Sequence, residues 1–464
     1  MGLKIQRKLS FATEMGLMVY STILWIITPL AWVTLRLWPE EKHQLKDRQL
    51  DDHQLNLWRQ KRQGRKHAIL FYLSSAGEYE QAKPLLDRCS ADPTIYVAIL
   101  FHSRSGYIHA SALSEAIDFM MAPVDRPFNW RRLFEAIDPS ITVLVRNEFW
   151  PNFMAMAYKK SYLIAVELTH SKCSPLNLYV KKRLLRLTDA RYAACPRAKD
   201  LYHAMKLQPI NMVGETKYDR TVERLANQRL AITSLSNKIR NHAGDPWRLV
   251  IGSAWDPDIH LALDALPALT KTMKGRPVQI LIVPHRPTPR KIRQIEAFCE
   301  RRYLTHATIN RHRLANAIKR DVLIVDEVGY LFHYYACANL CFVGGGFVRE
   351  RVHNLLEAAI HLKPICMGPR IDLQTEAFPL IKAGLARIIK TKEDLTALAS
   401  SFKEWQETCE EVGPDFIKKN SGASDLIFRD MQTALRHRGI APQARPTESH
   451  PHHQYQSPQS STMG

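Results

Sequence analysis

The chain has no Cys-x-x-Cys pair and no zinc-like cysteine spacing. Its eight cysteines (89, 173, 195, 299, 337, 341, 366 and 409) are scattered, several within apolar runs. That pattern argues against a disulfide scaffold or a cysteine-held metal and fits reduced structural residues of a cytosolic compartment. No internal repeat of about 20–50 residues is present, so a solenoid or propeller array is not expected. Acidic residues are in short supply, 45 against 65 Lys and Arg, for a formal charge of +20. Such a surface attracts nucleic acid, anionic lipid or phosphorylated substrates. No helix-turn-helix signal and no basic motif interleaved with aromatics accompanies it, so nucleic acid is not the expected partner.

One long stretch lacks charge altogether. "GLMVYSTILWIITPLAWVTL" (16–35) is uncharged for 20 residues, about the length that a bilayer-spanning helix needs. Arg7 and Lys8 precede it, and Arg36, Lys42, Lys46 and Arg48 follow it. The "RLWPEEKHQ" that comes next offers no small-x-small cleavage site, so a membrane anchor is expected rather than a removed signal. Positive charge on both flanks leaves the topology open, spanning or monotopic.

Beyond residue 67, β-rich apolar runs alternate with helical patterns, which predicts parallel sheets wrapped by helices. Strands are expected at 68–73, 95–102, 118–124, 141–147, 161–168, 190–195 and 210–215, then at 247–253, 278–284, 321–327, 340–346, 363–368 and 385–390. A mostly polar helix (221–242) separates the two series, and one helix is expected over 392–436. The predicted class is α/β, with two Rossmann-like domains facing a cleft. The expected divisions are an anchor (1–40), a juxtamembrane connector (41–66), an N-terminal domain (67–225) and a C-terminal domain (226–436) whose final helices pack back. The remainder (437–464), rich in Pro, His, Gln and Ser, reads as a disordered tail.

In open α/β sheets, ligands bind beyond the C-terminal strand ends, where helix N-termini point. Six unusual stretches fall there: "SSAGE", "RNEFWPN", "VGETKYD", "GSAWDPD", "VPHRPTPR" and "VGGGFVRERVHNLLEAA". In the first, Glu78 is either a working carboxylate or the first-turn acid of an ordinary helix; Ser75 and Gly77 beside it would leave room for a hydroxyl. In the last, the amides of Gly344, Gly345 and Gly346 could approach a phosphate. His353 and Glu357, four apart, would share a helix face, with the carboxylate free to accept ribose hydroxyls. Gly252, Ser253, His285 and Arg286 could complete a nucleotide cradle.

The ordered series SxGE, NEFWPN, GxxKYD, GS, VPxxP, FVGGG and HNxLEAA resembles the bacterial 3-deoxy-D-manno-oct-2-ulosonic acid (Kdo) transferases over nearly the whole chain. "EFWPN" (148–152) and "HN" followed by "LEAA" (356–359) are its most specific parts. The resemblance implies a membrane-associated GT-B glycosyltransferase of the inner membrane, with its catalytic domains on the cytoplasmic side. It implies CMP-Kdo as donor substrate, no other cofactor, no metal, and a phosphorylated lipid A precursor in an anionic membrane as acceptor. It places a general base at Glu78 and donor contacts at Gly252, Ser253, Asn354 and Glu357. Glu148 and Lys217 fall in its acceptor-side or structural segments.

Departures from the family pattern are concentrated on the donor side. Pro-His285-Arg286-Pro reverses the family's Pro-Arg-His-Pro, Trp255 stands where a His is usual, and Arg351 and Val352 replace two glycines before His353. On the acceptor side Arg146 replaces an acid and Glu167 replaces a base, which suggests a reversed ion pair across adjacent strand ends. These changes keep open two other readings: a divergent GT-B paralogue using another sugar or acceptor, and a non-catalytic membrane-bound relative.

Overall fold

His67–Leu73 is buried at every position, as is Ile95–Phe101. Continuous apolar strands of this kind belong inside a parallel sheet covered on both faces. The computed structural model describes residues 7–35, 48–111, 117–146, 149–169, 174–243, 245–314, 320–372 and 374–436. Its N-terminal sheet comprises β1 (His67–Leu73), β2 (Ile95–Phe101), β3 (Asp118–Met121), β4 (Ile141–Val145), β5 (Tyr162–Leu168), β6 (Ala190–Ala193) and β7 (Asn211–Met212). The order is β3-β2-β1-β4-β5-β6-β7, all parallel. The second sheet comprises β8 (Trp247–Ala254), β9 (Val278–Pro284), β10 (His306–Ile309), β11 (Val322–Val325), β12 (Leu340–Val343), β13 (Ile365–Met367) and β14 (Ala386–Ile388). Its order is β10-β11-β9-β8-β12-β13-β14, again all parallel. The chain reverses its direction of travel across the sheet between β1 and β4, and again between β8 and β12. Such switch points open a crevice at the strand C-termini.

Four expectations are corrected. The expected connector (41–66) contains the helix Asp52–Arg62, whose Leu55 and Trp58 are buried in the N-terminal core. Two large apolar side chains in a charged helix are enough to dock it. The boundary at 225/226 falls inside one continuous helix, Thr216–Ala243. The helix expected over 392–436 is three, Lys392–Ser400, Phe402–Asn420 and Ala423–Arg436, with Gly422 at φ +102° making the second break. Strand β10 was not expected, because "HATI" is half-exposed at three of its four positions and carries little apolar signal. The predicted tail (437–464) lies outside the described residues.

The two halves are tied by the helix Thr216–Ala243 and by the last helix. Ile427, Met431 and Leu435 of Ala423–Arg436 enter the N-terminal core beside Ile69 and Phe71. Asp219 accepts from the Gly422 and Ser424 amides at that helix's start, at 2.5 and 2.7 Å, satisfying amides that have no partner within the helix.

Candidate active site

β1 delivers the chain directly to Glu78. Ser75 caps the helix Ala76–Ala91 by accepting from the Glu78 amide, and Glu78 Oε2 accepts from the Ser74 amide at 2.6 Å. This reciprocal arrangement is a variant of the capping box. The carboxylate therefore has a local structural duty, and it is buried at the crevice between β1 and β4. Nothing in the packing requires glycine at 77: a Cβ there would meet only Ser75 Oγ, at 3.8 Å. Among the described residues, the space beside the Gly77 Cα is therefore open.

Two more candidates close the same crevice. Arg146 follows β4 and Glu167 lies near the end of β5, both with left-handed backbone, φ 61° and 55°. Non-glycine residues hold such angles only where the surroundings dictate them. The expected ion pair between them is absent. Arg146 donates its backbone amide to Val166 O, while its Nε and Glu167 Oε2 have no hydrogen-bond partner among the described residues. Glu167 Oε1 instead accepts from the Thr216 amide at 2.5 Å, capping the long helix. The turned backbone at both positions sends the side chains into different contacts. Burial, and then the Glu215 carboxylate, holds Glu167 well above the usual carboxylate range, against the pull of Arg146.

Lys217 lies at the start of the helix Thr216–Ala243, with Nζ 2.7 Å from Glu215 and 2.5 Å from Glu376 of the C-terminal half. Burial works against its charge, but Glu376 and Glu215 outweigh it and raise its pKa. Its role here is structural. The "EFWPN" stretch is structural too as far as it is described. Buried Asp125 accepts from the Asn152 and Phe153 amides and from Trp130 Nε1, at 3.1, 2.9 and 2.6 Å, so it caps the helix Pro151–Lys160. Glu148 lies outside the described residues.

On the C-terminal side, most expected glycines answer to packing. A Cβ at Gly252 would strike the Tyr335 hydroxyl at 2.0 Å, one at Gly345 (φ +94°) Arg351 O at 2.1 Å, and one at Gly346 the Gly368 backbone at 2.6 Å. The amides of Gly344 and Gly345 already donate to Gly252 O and to Asp258 Oδ2, each at 2.9 Å. The expectation that they cradle a phosphate is corrected: in this conformation both are internally satisfied. Asp258 also accepts from the Trp255 amide, and burial pushes its carboxyl up to about 6. Asp256 and Asp258 have Asp-x-Asp spacing, yet Asp256 pairs with Lys291 and Asp258 holds the glycine turn. Ser253 stays half-exposed at φ 50°, and Arg286 is exposed.

Three rings from three separate segments meet above this turn. His285 stacks on Trp255 at 4.9 Å and on His353 at 4.5 Å between centroids. Trp255 Nε1 donates to His353 Nε2 at 3.1 Å, a bond that requires that nitrogen to be unprotonated. Burial, and then His285, lowers His353 to about 4. Burial, and then Arg286, lowers His285 as well. Both rings are neutral near pH 7. Trp255, a departure in sequence, is thus a working partner of His353.

The expected sharing of one helix face by His353 and Glu357 is also corrected. The helix is a single turn, Leu356–Ala359, and His353 precedes it. Asn354 is exposed and its Oδ1 accepts from the Leu356 amide at 3.0 Å. Glu357 pairs with Arg224 at 3.0 Å. Burial outweighs that cation and raises the carboxyl above its ordinary range. One turn earlier on the same helix Arg220 pairs with Glu80 at 2.8 Å, so the two halves face each other across Arg220 and Arg224. Sequence reasoning missed Asp125, Asp258, Arg224 and Glu376. Only Asp258, three residues past Trp255, carried a local signal, the capping-box spacing.

Residues 30–220 match the family described as 3-Deoxy-D-manno-octulosonic-acid transferase (kdotransferase). Proteins named 3-deoxy-D-manno-octulosonic acid transferase align with most of the chain. That of Chlamydophila psittaci is 26% identical over 66% of this chain and 70% of its own length. That of Rickettsia prowazekii is 22% identical over 72% of each, and that of Haemophilus influenzae 20% over 78% and 85%. Among solved structures, the UDP-GlcNAc 2-epimerase of Neisseria meningitidis shares the fold with a TM-score of 0.56 at 14% identity, over 79% of this chain and all of the epimerase. A glycosyltransferase of Rickettsia africae does so with a TM-score of 0.51 at 11% identity, over 80% and 98%. With two facing Rossmann-like sheets of the GT-B type, the chain is similar to the 3-deoxy-D-manno-octulosonic acid (Kdo) transferases over most of its length, and its residues 30–220 match that family.

Proposed function

We propose that this protein is a glycosyltransferase that moves Kdo from CMP-Kdo to a hydroxyl of a phosphorylated lipid A precursor, at the cytoplasmic face of a bacterial inner membrane. The observation that carries the reading is the position of Glu78, a buried carboxylate at one switch-point crevice beside a glycine that packing does not demand. The facing half carries Ser253, His285, Arg286 and Glu357 around the other crevice.

In this reading the acceptor oxygen attacks the anomeric carbon as Glu78 takes its proton, and the C–O bond to CMP breaks on the opposite face, inverting the centre. An alcohol has too high a pKa to ionise beforehand, so a base helps most as the new bond forms. The departing phosphate takes up the electron pair. Ser253 Oγ and the Arg286 guanidinium, both solvent-accessible at strand ends, supply donors where that charge grows. CMP brings its own leaving group, so the proposed chemistry calls on no metal. Glu357 would receive ribose hydroxyls once Arg224 yields it, which couples donor entry to the junction between the halves.

Membranes containing the chain, given CMP-Kdo and a tetraacylated bisphosphorylated lipid A precursor, should yield a Kdo-bearing lipid. No product from folded protein overturns the proposal. A second reading, a paralogue taking another activated sugar, is favoured by the Trp255–His285–His353 stack and by the satisfied amides of Gly344 and Gly345. Transfer from a different nucleotide sugar, with none from CMP-Kdo, would select it.

A further inference from the structure

The helix Phe11–Leu35 is built inside out. The positions it turns toward the protein are half-buried and largely hydroxyl-bearing: Thr13, Tyr20, Ser21 and Thr28, with Leu17 and Leu24. Ser21 Oγ donates to Asn152 Oδ1 at 3.1 Å, and Tyr20 hydrogen-bonds to Asp125. Glu14 pairs with Lys159 at 3.5 Å. Just before the helix, Arg7 pairs with Asp189 at 2.6 Å and lies over the Tyr158 ring. The opposite surface is apolar and exposed: Phe11 79%, Met18 63%, Trp25 71% and Ile26 59%. A water-facing helix has the reverse pattern.

These contacts also limit how far the helix can reach. Its first three turns are fastened along the helix Pro151–Lys160 of a folded domain. Past Ser21, about 14 residues remain to Leu35, roughly 21 Å of helix, against a hydrocarbon core of ~30 Å. The docked helix is too short to cross. Lys8 and Lys160 stand exposed at the same end of the docked region, beside the Glu14–Lys159 pair, where cations meet anionic headgroups.

We infer that Phe11–Leu35 seats the protein in a single leaflet of an anionic membrane, docked on the N-terminal domain with its apolar face in lipid, so that both termini stay on the side of the catalytic domains. This monotopic arrangement holds the β1–β4 crevice close to the bilayer surface, and it does not depend on which sugar is transferred.

The test uses the full chain with one epitope before Met1 and another after Gly464, in sealed inverted inner-membrane vesicles treated with protease. Both epitopes should be digested while the vesicles remain intact. A protected N-terminal epitope beside a digested C-terminal one means that the helix spans, and overturns the inference. The exposed variant Ile26→Glu should shift the protein from the membrane pellet to the supernatant by several-fold. Unchanged pelleting means that the face does not meet lipid and equally overturns it. Kdo transfer is scored separately, so a wrong topology and a wrong reaction are told apart.

Discussion

Replacing Lys217 by Met leaves Glu215 and Glu376 facing each other with no cation between them. Both carboxylates are almost fully buried, 4% and 1% exposed, and the ammonium lies within 2.7 Å of each. Removing one partner of a buried ionic group costs about 3–5 kcal/mol, because the remaining charge can neither hydrate nor pair. The raised Lys217 pKa keeps the ammonium charged throughout the physiological range, since stability from a raised lysine is lost only as pH climbs through its folded value. Urea unfolding at pH 7 should therefore show Lys217→Met lower by about 3–5 kcal/mol. Adding Glu376→Gln to that variant should recover about 1–3 kcal/mol, the coupling expected of residues in direct contact. The loss should fall on the contact between halves, so limited proteolysis should cut near the start of the helix Thr216–Ala243 before either core is digested. A loss below about 1 kcal/mol, in the range of solvent-exposed pairs, or fully additive single and double variants, would mean that Lys217 does not hold the two buried carboxylates together.

Other consequences are narrower. Trp255→Phe keeps a stacking ring but removes the donor to His353, a loss of about 1 kcal/mol. Because that bond favours neutral imidazole, its loss should raise the pH at which His353 titrates by about 0.7, measured by NMR; an unmoved titration contradicts it. Glu167→Gln retains an acceptor for the Thr216 amide and deletes a carboxyl whose pKa is raised in the folded state. Wild-type stability drawn from that group is lost as pH rises above the ordinary ~4.3. The variant should therefore gain on the wild type between pH 4 and pH 8, and a constant difference in urea midpoint would refute this. Arg224→Ala frees Glu357 and should change affinity for CMP at least several-fold by calorimetry; unchanged affinity would separate that pair from donor entry.

Much of the fold was legible because its strands are buried on both faces and read as unbroken apolar runs, "AILFYL" and "VQILIVP" among them. The strand ends were legible for the same reason, since each run stops abruptly at small or charged residues. What failed was inference about what those ends touch. A Gly-Gly-Gly run looks alike whether it admits phosphate or its own neighbours, and only the close approach of Ser253, Arg351 and Gly368 decides for packing. The four-residue spacing of His353 and Glu357 implied a shared face only if a helix covered both, and that helix is one turn long. The ring cluster joins positions 255, 285 and 353 through the order of β8, β9 and β12 in the sheet, which no local pattern encodes. Trp255 gave no sign of its place at the donor-side turn, and Asp258 gave only the capping-box spacing. "EFWPN" was visible as a motif, yet its Asn152 serves the caps and contacts of neighbouring helices.

Glu78→Gln separates a catalytic base from a helix cap. Glutamine can still accept from the Ser74 amide as a capping residue, so stability should change by only a few tenths of a kcal/mol. It cannot take a proton from the acceptor, which should slow single-turnover Kdo transfer by about 10²-fold or more, with CMP affinity unchanged. Transfer at near wild-type rate by folded Glu78→Gln would contradict the account, reducing Glu78 to a helix cap.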